Sequence, residues 1–258
     1  MSTATTTPAG RMAALARAEL TLLGRSRGTL FAALFVPLIL PFSAREAVKQ
    51  MDLAEAGLTV GTVILPASIG FSLLYAVYAT LVSVYTARRE ELVLKRLRTG
   101  ELRDREILAG AALPAVATGL AQSAVLTIGC VVLLDVGAPP APHLAVLGLL
   151  LGIVVCVSLA AVTSSFTRSV ESTQVTTLPV VFLSMIFSGM FIPLEVLPDR
   201  MASACELLPL TPAITLLRGA WTGELSAYEA MGPLMTGLAW TALGVFAVQR
   251  RFRWEPRR

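Results

Sequence analysis

The sequence predicts an all-α integral membrane protein with six transmembrane helices and with its N and C termini in the cytoplasm. Of its 258 residues, 55% are hydrophobic and only 15% are charged, whereas about 25% are charged in typical soluble domains. Apolar stretches of membrane-spanning length alternate with short loops. The two termini and every second loop hold 17 of the 21 Lys and Arg residues. Because Lys- and Arg-rich loops stay in the cytoplasm, we expect a multi-pass protein of the cell (cytoplasmic) membrane.

Residues 1–28 precede the first long apolar stretch and are predicted to form a tail followed by an amphipathic helix. Within residues 11–23, the apolar side chains share one side of a helix, and Arg11 and Arg17 lie off that side. A basic amphipathic helix of this kind is expected to lie in the membrane interface.

The six predicted spans form a single domain, residues 29–249, which is followed by a basic cytoplasmic tail, residues 250–258. The second span is long enough to be tilted or bent at Pro66, and we expect Asp104 to cap the third. The fourth contains Gly148-x-x-x-Gly152, a spacing that lets helices pack closely. In chain order, the spans are predicted at residues 29–44, 57–85, 107–136, 144–166, 174–194 and 231–248.

The segment between the fifth and sixth spans is semi-apolar and contains two short helical patterns. The first covers residues 198–208, and the second covers residues 213–220. Thr211 is expected to be the N-cap of the second helix, with Pro212 at its first position. Helices this short cannot cross a bilayer. We therefore predict re-entrant or interfacial helices that line the translocation route or its outer gate.

The cytoplasmic loop between the second and third spans is the strongest functional candidate. Glu91 and Lys95 are spaced for an ion pair on a helix, Leu94 and Leu97 share one face, and Thr99 with the following Gly ends the pattern. These residues predict a short charged helix whose apolar ridge docks onto a cytoplasmic partner. The alternative is a solvated loop that only sets the topology.

Several classes of function lack support in the sequence. The spans carry Ser, Thr and Tyr but no carboxylate away from their ends, whereas an ion-coupled carrier usually needs one there. No phosphate-binding GxxxxGK[ST] loop, GxSxG or HExxH motif is present. The three cysteines and the single histidine form no metal-binding pattern. The basic residues flank apolar spans, which points to membrane lipid and not to nucleic acid.

Two motifs resemble a known family. The first occupies residues 89–99 and 105–110, and is similar to that family's inner loop and the start of its next span. The second occupies residues 187–193, 197–198, 208–212 and 217–219, and is similar to the fifth span and the re-entrant outer helices. The resemblance, over roughly residues 11–250, is to the permease subunit of type-2 ATP-binding-cassette (ABC) exporters, of the drug- and antibiotic-resistance-like branch. This chain has Leu92-Val93 where the family often has Gly-Thr, Gly100 where it often has Pro, and Ala111 where it often has Lys.

The resemblance implies roles for named residues. Residues 11–23 would be the connecting elbow helix, and residues 90–98 would be a coupling helix that sits in a groove of a separate ATPase subunit. The coupling residues would be Arg89, Glu90, Glu91, Leu94, Lys95, Leu97 and Arg98. The re-entrant outer gate would comprise Phe187, Ser188, Gly189, Phe191, Pro193, Pro198, Pro209, Thr211, Pro212 and Arg218, with Gly148 and Gly152 in helix packing.

The resemblance also implies the partners and the activity. Two ATPase subunits would bind ATP and Mg, so this chain would hold no cofactor and would not itself be an enzyme. A second permease, identical or different, would complete the pathway. The expected function is outward transport of an amphiphilic or lipophilic substrate, such as a drug, an antibiotic or a lipid-linked compound. The alternatives are a membrane sensor or anchor without transport, and an ion-coupled secondary carrier.

Overall fold

The computed structural model describes residues 48, 53, 57–99, 103–252, 254 and 255. Within these residues every regular element is helical and no strand is present. The predicted elbow helix and first span lie outside the described residues. Helices are numbered here from the first one described in full.

Eight α-helices make up the described part of the chain. Four of them, α1, α3, α4 and α8, are long and apolar enough to cross a membrane, and α5 is a shorter apolar helix. The described residues do not test the predicted total of six spans or the predicted cytoplasmic termini, so both remain predictions. The bounds are α1 Val60–Glu90, α2 Val93–Arg98, α3 Asp104–Leu134, α4 Pro142–Phe166, α5 Thr173–Phe187, α6 Asp199–Glu206, α7 Thr211–Thr222 and α8 Met231–Arg251.

The helices do not begin and end where the predicted spans do, and the span bounds themselves remain predictions. Helix α1 continues to Glu90 and not only to residue 85, because the backbone stays helical after the apolar stretch ends. Helix α5 ends at Phe187, well before residue 194, because Gly189 turns the chain with a φ of +73°. Asp104 is the first residue of α3 and not its cap. Arg103 is the cap, and its backbone N–H donates to the Glu106 carboxylate at 2.9 Å.

Helix α1 is the central helix of the bundle. It runs through Pro66, and its irregular part lies further along, where residues Leu73–Ala79 form a π-helix. At the end of this segment the hydroxyl of Thr80 donates to the Tyr75 carbonyl oxygen at 2.9 Å. In the apolar 18-residue stretch of α1, 78% of the residues are buried, against 11% in the corresponding stretch of α8. Helix α1 therefore forms the core, and α8 lies at the periphery.

Small residues let the helices approach one another closely. A Cβ atom on Gly148 would lie 3.0 Å from the Ala213 carbonyl oxygen of α7, and one on Gly152 would lie 2.5 Å from a Leu73 methyl group of α1. Helix α7 is thus packed into the groove between α1 and α4. Helix α8 packs against α4 through Gly237 and Gly244, and it also contacts α7.

Candidate functional site

The ends of helices that the charge pattern predicts to be cytoplasmic meet at one side of the bundle. There α1 ends, α2 follows, and α3 begins; after its predicted location, we call the described residues of this segment, 89–99 and 103–104, the cytoplasmic hairpin. Helix α2 packs against both α1 and α3, and the Arg98 Nε atom donates to an Asp104 carboxylate oxygen at 3.1 Å. The hairpin is therefore a folded unit, as far as its described residues go, and not a solvated loop.

The coupling helix predicted over residues 90–98 is not continuous. Glu90 is the last residue of α1, and Leu92 has a left-handed backbone with a φ of +61°, which costs an L-residue about 1–2 kcal/mol. Helix α2 contains only six residues. Glu91 lies outside it, so the predicted Glu91–Lys95 helix pair was wrong. The Lys95 Nζ atom lies 2.8 Å from the carboxylate of Glu255 instead.

Arg89 is buried in the chain, with 1% of its surface exposed. Its guanidinium donates to the carbonyl oxygens of Ser164 and Thr167, each at 2.6 Å. These carbonyls lie at the C-terminal end of α4, where the helix dipole favours a cation. Its predicted contact with a partner subunit was therefore wrong, because the side chain ties α1 to α4.

The prediction that the leucines of α2 form an apolar ridge facing a partner was also wrong. Leu94 is fully buried within the chain, and Leu97 is half-buried. The leucine that does face outward is Leu92, which is 38% exposed. Glu90, Glu91 and Leu92 are exposed at the turn between α1 and α2, and we call these three residues the hairpin tip.

The predicted outer-gate residues lie at the opposite side of the bundle. Arg218 of α7 is buried, and it donates to the carboxylate of Glu195 at 3.0 Å and to the Gly189 carbonyl oxygen. These contacts fasten α7 to the turn that follows α5. Glu195 was missed by the sequence analysis because it lies in a 3₁₀ turn, Leu194–Val196, 23 residues away along the chain.

The other predicted gate residues differ in their contacts and burial. Thr211 does not cap α7, since Leu210 is the N-cap and the Thr211 hydroxyl donates to the Cys205 carbonyl oxygen at 2.7 Å. This bond connects α6 with α7. Ser188, Pro193 and Pro212 are buried, Pro209 is half-buried, and Phe187, Phe191 and Pro198 are exposed.

A cavity of about 190 Å³ lies beside Arg218 and is lined in part by Glu195, Glu224 and Glu229. Ser226 donates to Glu229 from its hydroxyl, at 2.7 Å, and from its backbone N–H, at 2.9 Å. These hydrogen bonds lower the pKa of the Glu229 carboxyl below its usual value. Glu229 is therefore ionised at neutral pH. In the part of the chain that the structure describes, no cluster of His, Cys, Asp and Glu could hold a metal ion.

Most Ser and Thr hydroxyls within the spans donate to a backbone carbonyl oxygen about one turn earlier on the same helix, and a few polar side chains bond to another helix. The Ser72 hydroxyl donates to the Gln122 side-chain oxygen at 2.8 Å, which connects α1 to α3. The hydroxyls of Tyr78 and Thr163 are 3.1 Å apart and connect α1 to α4. Such bonds hold membrane helices together. Helix association therefore explains why these polar side chains are present, and no chemical role is needed to explain them.

The apolar helices define a multi-pass helical membrane protein, and the hairpin is a folded unit at one end of its bundle. Residues 11–221 match the family model described as ABC-2 type transporter, and the chain belongs to this family. The resemblance inferred from the two motifs is thereby confirmed. The family's membrane domain is a permease component, is not itself catalytic, and generally works with an ABC ATP-binding subunit. A search of curated proteins finds no match to this chain.

Proposed function

We propose that this permease moves an amphiphilic or lipophilic substrate outward, driven by ATP hydrolysis in two separate ATP-binding subunits that hold ATP and Mg. A second permease, identical or different, completes the pathway in the cell membrane. The observation that carries this proposal is the hairpin tip, Glu90, Glu91 and Leu92. It presents two carboxylates and one exposed leucine on a turn that is fixed to the membrane helices.

The way the hairpin tip is fixed favours a role in force transmission. Immediately before it, Arg89 bonds the end of α1 to the end of α4. Two residues after it, Leu94 is fully buried. A partner that pushes on the tip therefore acts on two spans directly, because the tip has rigid attachments on both sides. A loop that only sets topology needs neither attachment.

The substrate class is proposed from the surfaces of α1 and α5. Tyr75 of α1 is 40% exposed, and its ring stacks on Phe71 with centroids 4.4 Å apart. The neighbouring helix α5 presents Leu178 and Phe182 as exposed side chains. A hydroxyl among apolar side chains suits a molecule that is largely apolar with a few polar groups.

Charge reversal at the hairpin tip tests the proposal. The tagged chain is purified from its own membranes, and a stoichiometric subunit with a GxxxxGK[ST] loop is sought by mass spectrometry. We expect Glu90→Lys with Glu91→Lys to abolish the permease-dependent change in the ATPase rate of that subunit. The matched control is Glu206→Lys, an exposed carboxylate on α6, which should leave the rate unchanged.

The outcomes separate the alternatives. An unchanged ATPase rate in a folded double variant contradicts the role of the hairpin tip. Reproducible absence of any ATP-binding subunit favours a sensor or anchor. Transport that stops when the ion gradient is collapsed, but continues after ATP depletion, identifies a secondary carrier.

A further inference from the structure

The chain folds back onto the cytoplasmic hairpin after α8 ends. The backbone N–H of Phe252 still donates to the Val248 carbonyl oxygen at 2.9 Å, and its ring then meets that of Tyr85 edge-on, with centroids 6.4 Å apart. Tyr85 is a buried residue of α1. The Trp254 ring packs against Phe252 at 5.0 Å. The segment beyond α8 is thus fastened to the core beside the hairpin.

Two residues of this segment engage the two cations on one face of α2. The guanidinium carbon of Arg98 lies 4.8 Å from the centre of the Trp254 ring, in the geometry of a cation–π contact. The Lys95 Nζ atom is 2.8 Å from Glu255. Residues three apart share a helix face. Phe252, Trp254 and Glu255, which we call the C-terminal clasp, therefore contact α2 along a single side.

Helix α2 needs contacts of this kind. A helix of six residues has too few internal hydrogen bonds to be stable alone, and the left-handed Leu92 that precedes it opposes the folded state. Leu94 attaches α2 to the core, and Arg98 attaches its end to Asp104 of α3. The C-terminal clasp contacts a further side of α2. The sequence suggests only a basic tail here, whereas the structure has an aromatic pair and a carboxylate in contact with α2.

We propose that the C-terminal clasp positions α2 and so completes the surface that receives the ATP-binding subunit. The part of this inference that concerns the subunit rests on the proposed function. The clasp supports α2 from the side and does not cover it, because the side chains of Lys95 and Glu255 remain 54% and 66% exposed. The docking surface is then composite, with residues from the hairpin and from the chain beyond the last span.

Hydrogen exchange of the full chain in nanodiscs tests the clasp without any partner. We expect Trp254→Ala to speed the exchange of the α2 amides about two- to fivefold, as loss of an exposed cation–π contact predicts. Trp254→Phe keeps a ring beneath Arg98 and should restore most of the protection. Tyr228→Ala is the matched control, since Tyr228 is an aromatic residue that is 89% exposed, and it should leave α2 unchanged.

Swapping the charges of Lys95 and Glu255 gives an independent test of the same contact. Lys95→Glu and Glu255→Lys should each speed exchange in α2, and the double variant should restore the wild-type rate because the ion pair re-forms with reversed sign. The proposal is overturned if the α2 amides exchange hydrogen at equal rates in the wild type, in Trp254→Ala and in both single charge variants.

Binding of the ATP-binding subunit identified with the wild-type chain gives the second readout. Weaker binding by Trp254→Ala, with rescue by Trp254→Phe, supports the composite surface. Tighter binding by Trp254→Ala overturns it, because the clasp would then compete with the subunit. If no ATP-binding subunit binds even the wild type, the proposed function fails, and the exchange measurements still decide whether the clasp positions α2.

Discussion

Arg89→Ala is expected to be among the most destabilising changes on the cytoplasmic side. It removes two charge-assisted hydrogen bonds of 2.6 Å, to the carbonyls of Ser164 and Thr167. Hydrogen bonds to charged groups contribute about 1.5–3 kcal/mol each, and relief from burying the guanidinium offsets part of that loss. We expect a net loss of about 2–3 kcal/mol.

Thermal unfolding of the purified chain in mild detergent measures this loss. For a protein of this size, 1 kcal/mol corresponds to about 2–4 °C in Tm, so Arg89→Ala should lower Tm by about 4–12 °C. Arg96→Ala is the matched control, because Arg96 is an exposed arginine on α2, and it should change the stability by less than about 0.5 kcal/mol. Arg89→Lys should be intermediate, since an ammonium lacks the planar fork that reaches both carbonyls. Equal Tm values for Arg89→Ala and Arg96→Ala would refute the bridging role.

Two further predictions concern the hairpin tip and the packing of α4. Leu92→Gly should be more stable than Leu92→Ala by about 1 kcal/mol, because both lose the side chain but only glycine adopts a φ of +61° without strain; equal Tm values would contradict a left-handed Leu92. Gly148→Val should cost about 1–3 kcal/mol by overpacking, since its Cβ would lie 3.0 Å from the Ala213 carbonyl oxygen. Gly232→Val is the matched control, because no atom lies within 4 Å of a Cβ there, and a similar loss of Tm in both variants would exclude the contact with α7.

Hydropathy predicted apolar stretches that coincide with the four candidate membrane-spanning helices, but it did not predict where these helices end. A bilayer requires an apolar stretch of a certain length, and this requirement says nothing about how far the helix continues into water. Helix α1 therefore extends five residues past the predicted boundary at residue 85, to Glu90. The end of α5 was misplaced for the opposite reason, because residues 188–193 are apolar but form a turn at Gly189.

The break at Leu92 could not be predicted from local preferences, because leucine favours helices. It follows from two non-local contacts. Arg89 and Leu94 are both buried, yet residues five apart point about 140° away from each other on a continuous helix. A left-handed residue between them lets both side chains reach the core. The glycine that the family often has at this position would adopt the same backbone at no steric cost.

The small-residue pattern of α4 predicted close packing but not the element that packs there. Gly148 and Gly152 fit the spacing of a contact between two spans, and the neighbour of Gly148 is instead the short outer helix α7. Small residues permit a close approach whatever the neighbouring element is. Its identity depends on the turn after α5 and on the Arg218 contacts, which lie more than 35 residues further along the chain.

Helix α4 connects the hairpin with the predicted gate residues. Its cytoplasmic end is held by Arg89 of α1. Its outer half is in contact with α7 through Gly148, and the backbone N–H of Ala141 donates to the Ala220 carbonyl oxygen at 3.2 Å. A helix of 25 residues is about 37 Å long and transmits a displacement along its axis without a hinge. A shift of the hairpin tip is therefore expected to reach α7 and its Arg218 contact through α4, and Arg89→Ala should weaken that transmission even where the fold survives.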